Sequence, residues 1–307
     1  MIERVRAKIE PFLLECKNVI GFSHISSKPR LRIYVATEED AKMMPRVLGG
    51  YPVETIVVGR VKALPLLQLT YTSKVRPVVG GVSISPLNAK WAGTLGIIIN
   101  GYLLTNAHVI GFDMLTGERY PKGTKIVQPA RVDGGTESDV IAELESFTDI
   151  NFFGTNIADA AIAKVTVEYK DMEILDIGKV KGFGEAKLDQ MVTKVGRTTG
   201  LTESTIIDTN ATMKIEYGRL GTAIFRDCIV MKPAFAKAGD SGSVIVNEHK
   251  EIVGLLFAGS EYITVANKIQ NIIRALSEEY VKMSAFFLKG LAPIALTMAY
   301  FSSELYR

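Results

Sequence analysis

The sequence predicts a mostly β protein that begins with a small α/β unit. From residue 80 onward, short runs rich in β-branched residues are separated by Gly, Pro, Asn and Asp, which favour turns. Residues 30–35 alternate between polar and apolar side chains, as a half-buried strand does. We therefore divide the chain into a leader at residues 1–70, a body at 71–278 and an apolar tail at 279–307.

The leader has too few predicted strands for a barrel, so we predict a small α/β subdomain. Strands are predicted at residues 18–22, 30–35 and 53–58, with a short helix at 38–44. A first helix is predicted from apolar residues at helical spacing, namely Ile2, Val5, Ile9, Phe12 and Leu13. Pro11 falls inside this pattern and is expected to end or kink the helix.

The body is predicted to be a succession of strands followed by one helix at its C-terminal end. A strand pair is predicted over residues 97–104, and further strands at 227–230, 244–246 and 252–257. The closing amphipathic helix carries apolar residues at Ala266, Ile269, Ile272, Ile273 and Leu276.

The tail is an apolar stretch at residues 285–301 that Lys289 and Pro293 interrupt. A membrane-spanning helix needs about 20 apolar residues, so this stretch is marginal in length. A membrane anchor, an interfacial helix and a helix packed on the leader all stay open.

Composition excludes several function classes. The net charge of +3 is small, and no Lys/Arg cluster is interleaved with aromatic residues, so we expect no nucleic-acid partner. Cys16 and Cys228 lie far apart, which predicts neither a disulfide framework nor a metal site, and we expect no cofactor. The N-terminus lacks a secretory pattern, so we expect a cytoplasmic protein, membrane-associated if the tail inserts. The sequence leaves the oligomeric state open.

Two motifs carry the chemistry: Gly-Asp-Ser-Gly at residues 239–242 and Thr-Asn-Ala-His-Val at 105–109. A serine in a glycine-flanked turn presents its hydroxyl with little steric cover, and its small neighbours let a substrate backbone approach. Serine is a poor nucleophile until a base takes its proton, and histidine is the usual base. Ser241 and His108 together predict acyl transfer with an acid as the third member.

Asp159 is the best candidate for the acid. It lies in the apolar run at residues 157–163, where a carboxylate is costly to bury unless it is paired. A histidine Nδ1–H would supply that partner. Asp149, close to Phe147, is the second candidate, and Asp139 in a polar loop is the third. The alternative for Asp159 is a cap at a strand end.

These motifs resemble those of the chymotrypsin-like (trypsin-like) serine peptidases. In that family an Ala-His pair, an Asp in an apolar strand and Gly-Asp-Ser-Gly follow one another, and His108, Asp159 and Ser241 keep that order. The resemblance covers about residues 78 to 276 and points to the bacterial and archaeal branch without disulfides. It implies a chymotrypsin-like double six-stranded β-barrel, with the leader as an N-terminal α/β subdomain and with C-terminal helices.

The resemblance also implies an oxyanion hole formed by the backbone N–H groups of Gly239 and Ser241. Asp240 is expected to hold the turn through an internal ion pair or hydrogen bonds. An activation cleavage after Arg76 is not expected, because Pro77 follows and a bond to a proline nitrogen is a poor protease target. We therefore expect no zymogen step, and a partner for Asp240 other than a new N-terminus.

The substrate site is predicted by the same resemblance. It places a pocket floor at Phe235 and a substrate-pairing strand at Phe257, Ala258 and Gly259. With no acidic residue at the floor, cleavage after Lys or Arg is not expected, and aromatic walls favour small or apolar side chains. The alternative is that Phe235 and Phe257 simply pack in the core of the second barrel.

The sequence thus predicts a serine endopeptidase acting on peptide or protein substrates through an acyl-enzyme. His108 would be the base, Asp159 its orienting acid and Ser241 the nucleophile. Two other classes stay open. One is a catalytically silent peptide-binding module with this fold, and the other is a serine esterase or self-cleaving hydrolase.

Overall fold

The protein is mostly β, which confirms the predicted fold class. The structure is a computed structural model that describes residues 2–62 and 71–279. The predicted apolar tail lies almost entirely outside the described residues. Within the described ranges, no helix is both long and apolar enough to cross a membrane.

Over residues 2–62, the leader contains two helices and four strands. In chain order they are α1 (Ile2–Glu15), β1 (Val19–Ile25), β2 (Arg30–Val35), α2 (Glu38–Met43), β3 (Val47–Leu48) and β4 (Tyr51–Val57). The strands lie in the order β1-β2-β4-β3, with β2 and β4 parallel. Thr37 caps α2, because its hydroxyl accepts the N–H of Asp40 at 3.1 Å while the Asp40 carboxylate accepts the N–H of Thr37.

The first helix does not end at Pro11 but continues to Glu15. Ile9 and Leu13, on either side of Pro11, pack against the apolar cluster of the leader, and this packing supports the last turn. Phe12 also belongs to the apolar face predicted for this helix, but in the structure the residue is 72% exposed. Tertiary packing therefore outweighs the hydrogen bond that proline removes.

The first half of the body is an antiparallel seven-stranded sheet. Its strands are β6 (Ser83–Pro86), β7 (Gly93–Thr94), β8 (Ile97–Ile99), β9 (Tyr102–Thr105), β10 (Lys125–Val127), β11 (Val140–Phe147) and β13 (Ala161–Val165). They lie in the order β7-β6-β10-β11-β13-β9-β8. Asn100 and Gly101, both at positive φ, form the two-residue turn that joins β8 to β9, as Asn-Gly favours. A short helix, α3 (Ala107–Ile110), follows β9 directly.

Four short strands lie beside the two halves of the body. They are β5 (Val78–Gly80), β12 (Thr155–Asn156), β14 (Tyr169–Ile174) and β15 (Gly178–Lys179). The strands β15, β14 and β5 form a small sheet of their own, while β12 joins the second half.

The second half is a closed antiparallel ring of six strands. They are β17 (Met191–Gly196), β18 (Gly200–Glu216), β19 (Thr222–Lys232), β20 (Val244–Asn247), β21 (Glu251–Gly259) and β22 (Thr264–Lys268), and β16 (Gly182–Phe183) pairs with β21 from outside. The ring closes because β18 pairs with both β17 and β19. The last described helix, α4, spans Ile269–Glu279, so Ala266 lies in β22 and not in the predicted helix.

The leader is joined to this ring by strand pairing and by a buried polar cluster. Phe22 of β1 pairs with Thr212 of β18, which extends the sheet into the leader. Asp208 is 3% exposed and accepts hydrogen bonds from the hydroxyls of Ser23 and Tyr34. The Arg32 guanidinium lies 3.8 Å from the same carboxylate. Burial raises the pKa of Tyr34 well above its usual value, so this hydroxyl stays a donor.

We expect Asp208→Ala to destabilise the protein by about 3 kcal/mol, because it leaves the buried hydroxyls of Ser23 and Tyr34 without their acceptor. The measurement is the free energy of unfolding in urea. Glu203→Ala removes an exposed carboxylate from the same strand and should change that free energy by less than about 0.5 kcal/mol. Equal effects of the two substitutions would contradict this account of leader docking.

Candidate active site

His108 and Asp159 are brought together by the pairing of β9 with β13, which sets Thr105 opposite Ala161. Asp159 lies just before β13, not inside a strand as the family pattern has it. Its Oδ1 accepts the backbone N–H of His108 at 3.1 Å, and its Oδ2 lies 2.6 Å from His108 Nδ1. Because an ionised carboxylate only accepts hydrogen bonds, the proton of this contact is on Nδ1. Asp159 is fully buried and His108 is 5% exposed.

Asp159 has two further partners that the motifs did not indicate. The Tyr217 hydroxyl donates to Asp159 Oδ2 at 2.7 Å, and the Asn267 side-chain oxygen accepts the Asp159 N–H at 2.8 Å. Tyr217 lies in the turn after β18 and Asn267 in β22. No short sequence motif links either residue to Asp159, because the contacts arise only when the two halves of the body pack together.

Tyr217 is held rigidly by aromatic neighbours. Its ring meets that of His108 edge-on at 6.0 Å and stacks on that of Phe225 at 6.1 Å. The side chain is fully buried, and burial raises the pKa of its hydroxyl well above the usual value. Tyr217 therefore remains a hydrogen-bond donor to the carboxylate.

The other two candidate acids are engaged elsewhere. Asp149 is exposed and pairs with Arg119. Asp139 accepts a hydrogen bond from Lys74 at 2.7 Å, and that bond together with those from Thr136 lowers its pKa to about 2. Of the three aspartates, Asp159 is the one that the structure brings to His108.

The turn that carries Ser241 is tied to the strand that precedes His108, and Thr94 makes the connection. The Thr94 N–H donates to Ser241 O at 2.8 Å, and its hydroxyl donates to Gly239 O at 2.8 Å. The Thr105 hydroxyl in turn donates to Thr94 O at 2.8 Å. Three hydrogen bonds thus fix the serine turn against the end of β9.

Two reactive atoms at this junction are shielded from solvent and have no partner among the described residues: His108 Nε2 and Ser241 Oγ. Buried polar atoms normally form hydrogen bonds, so the missing partners of these two side-chain atoms indicate a functional site. In proteins without substrate, the bond between a nucleophile and its base is often long and tightens on binding.

Gly239 has the backbone conformation that the turn requires. Its φ of +92° is unfavourable for other residues, and a Cβ there would lie 2.4 Å from Thr198 Oγ1. Over the described ranges, no oxygen accepts the N–H of Gly239 or that of Ser241. The role of the two N–H groups as donors to an oxyanion stays a prediction.

Asp240 is held by a buried lysine and by backbone N–H groups. Its Oδ1 accepts the N–H groups of Thr198 at 2.8 Å and Thr199 at 3.0 Å, and its Oδ2 accepts that of Lys237 at 2.8 Å. Lys194 Nζ lies 3.5 Å from Oδ2, and both side chains are fully buried. Lys194 thus supplies a cation for Asp240 from within the chain, so this ion pair does not need an N-terminus freed by cleavage.

Sequence reasoning missed Lys194, because alternation along residues 191–196 does not distinguish the face of Val192 and Lys194 from that of Met191 and Val195. In the structure Lys194 is buried in β17, where a lysine needs a buried anion. Burial lowers the pKa of Lys194 to about 8, while Asp240 opposes this shift.

The predicted substrate residues lie in the second half of the body. Phe257 is fully buried and packs on Phe225, with ring centroids 4.7 Å apart. Phe235 is 6% exposed and lies in a separate apolar cluster. Ala258 and Gly259 end β21. The role of these four residues in substrate binding stays a prediction, as does the alternative that the two rings only fill the core.

A closed six-stranded ring beside a second β-sheet, with the His-Asp pair and the serine turn at their junction, defines a chymotrypsin-like fold. The sequence profile of the trypsin-like peptidase domain matches residues 93–255, more than half of the chain. The chain belongs to this family. Over the described ranges, no group of His, Cys, Asp and Glu side chains is arranged to hold a metal ion.

The fold is similar to those of several solved bacterial proteases. Cellulomonas bogoriensis chymotrypsin is 18% identical, with a TM-score of 0.46 over 65% of this chain and 96% of that one. Thermobifida fusca protease A is 16% identical, with a TM-score of 0.46 over 65% and 96%. Nocardiopsis protease is 17% identical, with a TM-score of 0.45 over 64% and 95%. A comparison with curated protein sequences finds no match.

The lowered pKa of Lys194 predicts a specific pH dependence of stability. The folded protein releases this proton near pH 8, whereas an unfolded lysine keeps it until pH 10.5. The unfolded state therefore binds more protons between these values, and this group makes the free energy of unfolding rise with pH across that window. The rise should be absent in Lys194→Met.

The measurement is urea unfolding of both proteins from pH 7 to pH 10.5. At pH 7 we expect Lys194→Met to be less stable by about 3 kcal/mol, because Asp240 keeps a buried charge without its cation. A difference between the two proteins that is constant with pH would contradict the assignment.

Proposed function

We propose that the protein is a serine endopeptidase. The observation that carries the proposal is the buried His108-Asp159 pair together with two atoms, His108 Nε2 and Ser241 Oγ, that have no hydrogen-bond partner among the described residues. A histidine oriented through Nδ1 leaves Nε2 as a base, which is the arrangement that activates a serine hydroxyl.

In the proposed reaction, His108 Nε2 takes the proton of Ser241 while Oγ attacks a peptide carbonyl. The free N–H groups of Gly239 and Ser241 then donate to the oxygen on which negative charge develops. His108 passes its proton to the leaving amine, and water afterwards releases the acyl group. Asp159 stabilises the imidazolium that forms in both steps.

The supporting residues hold this machinery in place. Lys194 and Asp240 fix the turn that presents the two N–H donors, while Tyr217 fixes the carboxylate of Asp159. With no acidic residue assigned to the pocket, we propose substrates with small or apolar side chains before the cleaved bond.

Ser241→Ala should abolish both labelling by a fluorophosphonate probe and hydrolysis of peptides, with a loss of at least about 10⁴-fold in kcat. The exposed Ser138 provides a matched control, since Ser138→Ala should leave both unchanged. Folded wild-type protein that takes up no label would contradict the proposal and favour a silent peptide-binding module. Hydrolysis of esters without any peptide cleavage would favour an esterase.

Tyr217→Phe tests the positioning of Asp159. The ring and its packing stay, but the Asp159 carboxylate loses one hydrogen-bond donor and holds His108 less firmly. We expect kcat/KM for peptide hydrolysis to fall roughly 3- to 30-fold.

The control is Tyr34→Phe, because Tyr34 is also a fully buried tyrosine that donates to a carboxylate, but in the leader. It should lower the free energy of unfolding without lowering kcat/KM. An equal fall of kcat/KM in both variants would exclude a specific role for Tyr217.

A further inference from the structure

The leader leaves its sheet through residues 58–62, which we call the strap. The strap lies between the ends of β18 and β21. Val61 O accepts the N–H of Glu216 at 3.2 Å. Lys62 and Gly259 exchange two backbone hydrogen bonds, at 3.2 Å from Lys62 N to Gly259 O and at 3.1 Å in return. The Ser260 hydroxyl donates to Val58 O at 2.5 Å.

The edge of β21 that the strap covers leads directly to the serine turn. Closer to that turn, Leu256 O accepts the N–H of Gly242 at 3.0 Å, and the Leu256 N–H donates to Ser243 O at 2.9 Å. Gly259 lies three residues beyond Leu256 in the same strand. On its other side β21 is already paired with β22. The amide and carbonyl of Gly259 are therefore the pair that an extended peptide next to Ser241 would use.

The direction of the strap matches that of such a peptide. Lys62 pairs antiparallel with Gly259, so a chain running from its N-terminus to its C-terminus there moves from Gly259 toward Leu256. It therefore advances toward Ser241. A peptide laid along this edge and an intact strap would need the same two groups of Gly259, so they exclude each other.

The burial of two valine side chains also holds the strap in place. Val58 is fully buried, and Val61 is 1% exposed within the apolar cluster that contains Phe257 and Tyr217. Arg60 adds an ion pair with Glu216 at 3.7 Å. Because the strap is part of the same chain, its effective concentration at this edge is high.

We propose that the strap is a built-in competitor for extended substrates, and that it must leave Gly259 before a long peptide can bind along β21. The inference rests on the proposed endopeptidase function. It concerns backbone pairing, because the Lys62 side chain is exposed and its N–H and C=O make the contacts.

The test compares Lys62→Pro with Lys62→Ala in the full chain. Proline removes the N–H that donates to Gly259 O, whereas alanine keeps both backbone bonds. The long probes are acetyl-Ala-Ala-Ala-X coumarin amides, and the short ones are acetyl-X coumarin amides, with X as Ala, Leu or Phe. A short probe does not extend to Gly259.

For the long probes, Lys62→Pro should lower KM roughly 2- to 10-fold with kcat unchanged, as loss of one competing hydrogen bond predicts. Lys62→Ala should match the wild type, and the short probes should distinguish none of the three proteins. Fluorophosphonate labelling that is equal in all three, with an unchanged KM for the long probes, would overturn the strap proposal alone. No labelling in any of them would overturn the endopeptidase proposal.

A second measurement covers the case in which Lys62→Pro does not fold. In the Ser241→Ala chain, saturating acetyl-Ala-Ala-Ala-Leu amide should raise the hydrogen-exchange rate of the Lys62 amide at least severalfold. The amide of Val192, on β17 away from this edge, serves as the internal reference. A Lys62 amide that stays protected while the peptide is bound would overturn the proposal.

Discussion

The fully buried carboxylate of Asp159 is the constraint on which the site depends. An ionised carboxylate without partners would be very costly in the interior, so its oxygens must find donors. The donors come from both halves of the body, because His108 follows β9 of the first sheet and Tyr217 follows β18 of the closed ring. The carboxylate therefore gains its full set of donors only when the two halves are packed together.

A second buried charge organises the serine turn in a similar way. Asp240 takes its donors from the segment after β17 and from Lys237, and its cation from Lys194 within the ring. Removing one partner of such a pair costs more than the pair contributes, because the other charge is left buried. The turn that presents the N–H groups of Gly239 and Ser241 is thus anchored to the ring by a buried ion pair and is not a free surface loop.

Local patterns predicted the mostly β class, the strand at residues 30–35 and the two motifs, since each depends on neighbours in sequence. Predictions from local patterns were wrong where contacts with distant parts of the chain determine the secondary structure. Pro11 is tolerated within α1 because apolar residues on both sides are held by the leader sheet, and Ala266 belongs to a strand because β21 and β19 pair with it. Tyr217 and Asn267 could not be linked to Asp159, nor Lys194 to Asp240, because these contacts join distant parts of the chain.

The length of β18 has a consequence for how the chain can be divided. This one strand pairs with β17 and β19 within the ring and with β1 of the leader, so the ring and the leader share part of one continuous sheet. Cutting the leader away would expose unpaired N–H and C=O groups along β18, next to apolar side chains such as Met213. An open apolar strand edge of this kind is a template for association between copies. The leader thus keeps this edge of β18 paired.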